Sequence, residues 1–120
     1  MISYLLDEHI PPLYRSQLLR RGPGLTVWRI GDEGAPSKGT PDPSLLIWIE
    51  ENNFIIVTNN RKTMPTHLAD HIIIMGRHAP GILIVDLGAP VGIVLNDLIL
   101  VALASYENEF LDCVAYVPLS

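Results

Sequence analysis

The sequence predicts a three-layer α/β fold: a mainly parallel central sheet of about five strands flanked by helices, with residues 1–120 forming one domain. Three observations carry this expectation. Short apolar runs of strand length alternate along the chain with segments of helical spacing, the pattern of successive βα units. Most of those runs are apolar throughout, as strands buried on both faces are. Asp7, Asn60 and Asp86 follow closely on three of them, where open α/β sheets usually bind ligands.

The first run, from Met1 to Leu6, stops at Asp7, Glu8 and His9. Pro11 and Pro12 then open a helix that carries Leu13, Tyr14, Gln17 and Leu18 and closes at Gly22. Leu25–Ile30 is a second strand, reached by a crossover long enough to make it parallel to the first. Gly31 to Pro41, rich in glycine and proline, is an irregular loop of the length that often serves function. Asp42, read as a cap before Pro43, starts a helix through Asn52 with Leu45, Leu46, Trp48 and Ile49 on its apolar side. Phe54–Thr58 is the third strand, and Pro65 opens a helix carrying Leu68, His71, Ile72 and Met75 before Gly76. Gly81–Val85 is the fourth strand, Val91–Tyr106 a long apolar helix, and Cys113–Val117 an edge strand stopped by Pro118.

Composition narrows the function classes. A chain of this length buries roughly two-thirds of its unfolded surface, and 48% hydrophobic against 18% charged residues excludes disorder. The net charge of −5 argues against a broad electrostatic grip on nucleic acid and leaves room only for a local basic patch. The single cysteine, Cys113, excludes an internal disulfide and is expected to be buried and inert. Met1 leads directly into a strand, so no cleaved signal peptide is expected, and the chain reads as cytoplasmic. Val91–Ala104, broken by Asn96 and Asp97, is too short to span a membrane.

The functional signal is convergence. Asp7, Asn60 and Asp86 follow strands and Asp42 starts a helix, so four positions far apart in sequence are expected to meet at one sheet edge. The bland reading is that Asp7 caps the next helix and Glu8 is solvated. Arg61 and Lys62 suit a phosphate, as a bidentate fork and a point charge. His9, beside Glu8, is a candidate to touch substrate. His67 and His71 have the spacing that lets two imidazoles face one ion, with His78 close behind, but no glutamate follows His67, and surface or capping roles are commoner. Trp28 and Trp48 read as core rather than as base-stacking groups, and Asp32, Glu33 and Lys38 as loop charges or the lip of a site. The leftover apolar face of the last helix invites a homodimer or another protein partner.

Leu5-Leu6-Asp7-Glu8-His9-Ile10-Pro11-Pro12, Gly39-Thr40-Pro41-Asp42-Pro43 and Val57-Thr58-Asn59-Asn60-Arg61 together resemble the PIN-like nuclease superfamily, most closely its small bacterial members. The resemblance runs over nearly the whole chain. It implies a metal-dependent endoribonuclease in which carboxylates at strand ends hold Mg²⁺ or Mn²⁺ and activate water against an RNA phosphodiester, often as a toxin beside an antitoxin. By motif, Asp7 matches the first metal-binding aspartate, Glu8 its acidic neighbour and Asp42 the acid on the next helix. Relatives often carry two acids after the third strand, where this chain has Asn60 and Lys62. Asn60 still offers a carbonyl oxygen, and Asp86 is a further candidate for the metal. A divalent ion loses a full anionic ligand when Asp becomes Asn, a unit charge pair at 4 Å being worth about 4 kcal/mol at an effective dielectric near 20. A weakened metal site is therefore expected. A catalytically inactive protein- or RNA-binding module is the competing reading, and a receiver-like domain the third, set back by Asn60 where a phosphorylatable Asp would stand.

Overall fold

A computed structural model describes residues 2–119. Five strands and four helices alternate: β1 (Ser3–Leu6), α1 (Pro12–Arg21), β2 (Thr26–Arg29), α2 (Asp42–Asn52), β3 (Ile55–Thr58), α3 (Met64–Ile73), β4 (Ile82–Val85), α4 (Val91–Ala104) and β5 (Val114–Val117). The sheet order is β2-β1-β3-β4-β5 and every pairing is parallel, so the mainly parallel sheet expected from sequence is wholly so. Parallel neighbours need crossovers, and the helices supply them on both faces.

The pleat sorts the side chains into two cores. Tyr4, Leu6, Val57, Leu83 and Val85 pack with Tyr14 and Leu18 of α1 and with Val94, Leu95 and Leu98 of α4. Leu5, Ile56, Ile82 and Ile84 pack on the other face with Leu45, Leu46 and Ile49 of α2 and with Met64 and Leu68 of α3. Fully buried leucines and isoleucines of this kind contribute about 1.5–3 kcal/mol each over exposed ones. One polar contact crosses the first core: the Tyr4 phenol donates to the Leu98 carbonyl at 2.7 Å, and burial pushes that phenol well above its ordinary range. Trp28, Trp48 and Phe54 pack against one another at 5.0–6.0 Å between ring centres; Trp48 lies partly buried against the α2/α3 core as expected, whereas Trp28, on the edge strand β2, is exposed rather than core.

Several boundaries differ from expectation for physical reasons. Strand β1 begins only at Ser3, later than its apolar run, and Met1 lies outside the described residues. Pro41, whose ring offers no acceptor, occupies the cap of α2 and leaves it without a side-chain cap, while Asp42 stands in the first turn and its carboxylate accepts from Asn60 outside the helix. Helix α4 stops at Ala104, where Ser105 is already extended. Cys113 is exposed, contrary to expectation: it precedes β5, and its thiol reaches only the Leu111 carbonyl at 3.3 Å. Among the described residues no helix is long and apolar enough to cross a membrane.

Candidate functional site

The order β2-β1-β3 reverses the direction of chain progression at β1 and β3, and a crevice opens between the carboxyl ends of such strands. Pairing of Leu6 with Val57 brings the residues that follow, Asp7 and Thr58, side by side. Leu6 and Val57 belong to the α1/α4 core, so alternation sends Asp7 and Thr58 toward α2 and α3. Both are buried, Asp7 at 8% exposure and Thr58 at 0%. The Thr58 hydroxyl donates to Asp7 Oδ2 at 2.7 Å, and the Glu8 amide donates to Asp7 Oδ1 at 2.7 Å. A carboxylate this far from solvent needs such donors.

From Thr58 the hydrogen bonds continue toward α2. The Asn60 amide nitrogen of the backbone donates to Thr58 Oγ1 at 3.1 Å. Its side-chain Nδ2 donates to Asp42 Oδ2 at 3.0 Å and to Thr63 Oγ1 at 2.7 Å, while its Oδ1 accepts from the Thr63 amide at 3.2 Å. Asp7, Thr58, Asn60 and Asp42 thus form one chain of contacts across the ends of β1 and β3 and the start of α2. His67 Nε2 lies 3.7 Å from Asp42 Oδ2.

A second set of bonds shapes the rim. The Arg29 guanidinium donates to the Ile10 carbonyl and, at 3.0 Å, to the Glu8 carbonyl, which fixes the turn after β1. Asp32 accepts from the Arg29 amide at 2.8 Å and from the Arg15 guanidinium. Partial burial opposes its charge, but these cationic partners outweigh that and hold the Asp32 carboxyl below its ordinary range. Gly31, at φ +101°, turns the chain off β2 as few other residues can. The loop beyond it then brings the Gly39 amide to Glu8 Oε1 at 3.4 Å, while Asp32 itself is engaged by the two arginines.

Not every candidate joins this chain. His9 is exposed and makes no hydrogen bond among the described residues. Asp86 is exposed, accepts from the Gly88 amide at 2.8 Å, and follows β4, two strands from β1 and so roughly 10 Å across the sheet. With Arg61 it lines a separate hollow of about 480 Å³ over the ends of β3, β4 and β5. Asp86 and burial together hold the Tyr14 phenol above its usual range, burial being the larger cause. Lys62 is exposed beside Arg61. His67 and His71 do not face one ion: His71 is buried, with Nε2 at 2.9 Å from Glu50 Oε1, whereas His67 lies against Asp42. His78 pairs with Asp112 instead.

The sequence reading missed Thr58, Arg29 and His67 as parts of the site. A threonine closing an apolar strand just ahead of Asn59-Asn60 is the signal that would have pointed to the first. Among the described residues no three His, Cys, Asp or Glu side chains stand close enough to hold an ion by themselves. Two carboxylates joined only through Thr58 and Asn60 leave at most the hydrated mode of Mg²⁺ or Mn²⁺ binding, in which one or two carboxylates act together with water and substrate phosphate. Asp7 and Asp42 are the residues that would hold it. Compared with protein-family models, curated proteins and solved structures, the chain matches none.

Proposed function

We propose that this PIN-like α/β domain is a metal-dependent endoribonuclease of weakened acidity, with its site at the crevice between β1 and β3. The observation that carries the reading is the hydrogen-bonded chain Asp7–Thr58–Asn60–Asp42, which joins two carboxylates 35 positions apart in sequence at the edge where such sheets bind ligands. A bound divalent ion would supply charge neutralisation at the phosphate and a more acidic water. The chain's own residues do the rest. Thr58 orients the Asp7 carboxylate, Asn60 orients that of Asp42, and Glu8, steadied by Gly39, adds negative charge at the lip. Arg61 and Lys62 offer cations to the RNA backbone, and exposed His9 is placed to meet it. Exposed Ile93, Leu100 and Leu103 of α4 would suit a second copy or an antitoxin-like chain, and the reading places the protein in the cytoplasm.

The test is RNA cleavage with Mn²⁺ or Mg²⁺ by the native chain and by Asp7→Asn. Cleavage that needs the ion and is lost in the variant supports the enzyme. Equal activity in both removes the catalytic claim.

A second reading, a binding module without turnover, draws on one observation. Asn60 spends its amide protons on Asp42 and Thr63, so it links the ends of β3 and α2 with no cation between them. Mn²⁺ titration by calorimetry separates the two, because only the enzyme reading requires binding that Asp42→Asn abolishes.

A further inference from the structure

We propose that the hollow between Arg61, Asp86 and Tyr116 is a subsite for one nucleotide of single-stranded RNA, adjoining the acidic crevice. Its position comes first. The hollow lies at the carboxyl ends of β3, β4 and β5, the same sheet edge as Asp7. Asn59 and Arg61 line it while Asn60, between them, holds Asp42, so one tripeptide borders both the hollow and the crevice.

The walls match the parts of a nucleotide. Arg61 is the cation: like Arg20 on α1 it has no side-chain partner among the described residues, whereas Arg15, Arg21, Arg29 and Arg77 each bond one, and of the two free guanidinium groups only Arg61 lines the hollow. An unengaged guanidinium favours a phosphate. Tyr116 is the aromatic surface, 55% exposed although it lies on a strand. Val114 packs with the α2/α3 core and Ala115 with the α1/α4 core, so alternation puts Tyr116 on the α2/α3 side, where Asp7 and Thr58 also point. A base can stack there without regard to its identity. Asp86 is an acceptor only and repels phosphate, so it fixes the strand's direction, with phosphate at Arg61 and the hydroxyl- and amine-bearing ribose and base toward Asp86 and Tyr116. The ribose 2′-hydroxyl is a donor that DNA lacks. A volume of about 480 Å³ lies within the range of small-ligand pockets.

The subsite rests on the nuclease reading only for the claim that this nucleotide neighbours the cleaved bond, and binding can be measured apart from cleavage. The experiment is fluorescence anisotropy of a labelled single-stranded octaribonucleotide in chelating buffer, for the native chain, Arg61→Ala, Tyr116→Ala, Tyr116→Phe and Asp7→Asn. Thermal midpoints check that each variant is folded. Tyr116→Ala and Arg61→Ala are expected to weaken binding by roughly ten-fold each, the order set by one base stack or one phosphate contact, while Tyr116→Phe binds as the native chain does. The DNA octamer should bind more weakly than the RNA. Native-like affinity in both alanine variants, or no RNA binding by the native chain, overturns the subsite. Loss of binding in these variants combined with no ion-dependent cleavage by the native chain leaves the subsite standing and removes the nuclease.

Discussion

Asn60 and Asp42 meet at 3.0 Å with the amide donating and the carboxylate accepting. The same amide group also donates to Thr63 Oγ1, which anchors the turn leading into α3. An aspartate at this position would face Asp42 with a second negative charge, which a cation or a shared proton would have to offset. Asn60 therefore holds the crevice together without an ion, at the cost of a charged ligand for one.

Asn60→Asp tests this directly. Two carboxylates about 4 Å apart repel by about 4 kcal/mol at an effective dielectric near 20, and partial exposure lowers the net effect to roughly 1–3 kcal/mol. The variant is expected to be less stable than the native chain in chelator. Mn²⁺ should restore it, since an ion at about 100 times its Kd adds about 2.7 kcal/mol. Thermal midpoints with and without Mn²⁺ measure this, and an ion-induced rise no larger than that of the native chain would contradict it.

Thr58→Val removes the hydroxyl that donates to the buried Asp7 carboxylate while nearly preserving shape. Leaving a buried acceptor short of a donor costs about 1–3 kcal/mol. Urea denaturation should show that loss with an unchanged slope, and Thr58→Ser, which keeps the hydroxyl, should recover most of it. If valine is tolerated at no cost, Asp7 is not held as described.

The order of elements was readable because most strands are apolar runs, β2 alternating instead, and each helix opens on proline or closes on glycine or asparagine. The convergence of Asp7, Asn60 and Asp42 followed from chain order alone. Their wiring did not. Thr58 reads as one more β-branched residue of a strand, and its hydroxyl acquires a role only when parallel pairing puts it beside Asp7. The spacing of His67 and His71 does place both toward α2, yet each meets its own acid there, Asp42 near one end and Glu50 near the other. Helical period fixes which side a residue faces, and it is silent about what the neighbouring helix offers. Cys113 was misplaced because strand β5 begins one residue later than its apolar run suggests.

Arg29 is expected to matter through its shape as much as its charge. Its two terminal nitrogens reach the Glu8 and Ile10 carbonyls together, a span that a lysine ammonium cannot copy. Arg29→Lys should cost about 1–2 kcal/mol and raise amide hydrogen exchange at Glu8 and Ile10, whose amides bond Asp7, more than in the strands. Unchanged exchange at those two residues would show that the turn is held by something else.

The His78–Asp112 pair provides a pH signature remote from the acidic crevice. His78 Nδ1 lies 2.6 Å from Asp112 Oδ2, and this hydrogen bond, with the charge behind it, raises the imidazole pKa above its ordinary value. A group whose folded-state pKa is raised stabilises the fold fully below its unfolded value, near about 6.5, and that contribution is lost as pH rises through the folded value. Asp112→Asn is a clean probe. Asn tolerates the left-handed backbone at φ 58°, and its Oδ1 can still accept from the Ala79 amide, while its NH2 takes the place of the oxygen that faces His78, so the charge and that acceptor are removed together. The native chain should exceed the variant in thermal midpoint most below the ordinary imidazole value of about 6.5, and by progressively less as pH rises through the raised one. The His78 titration followed by NMR should move to lower pH in the variant. Coincident titration curves for the two proteins would rule out the pair as the source of the shift.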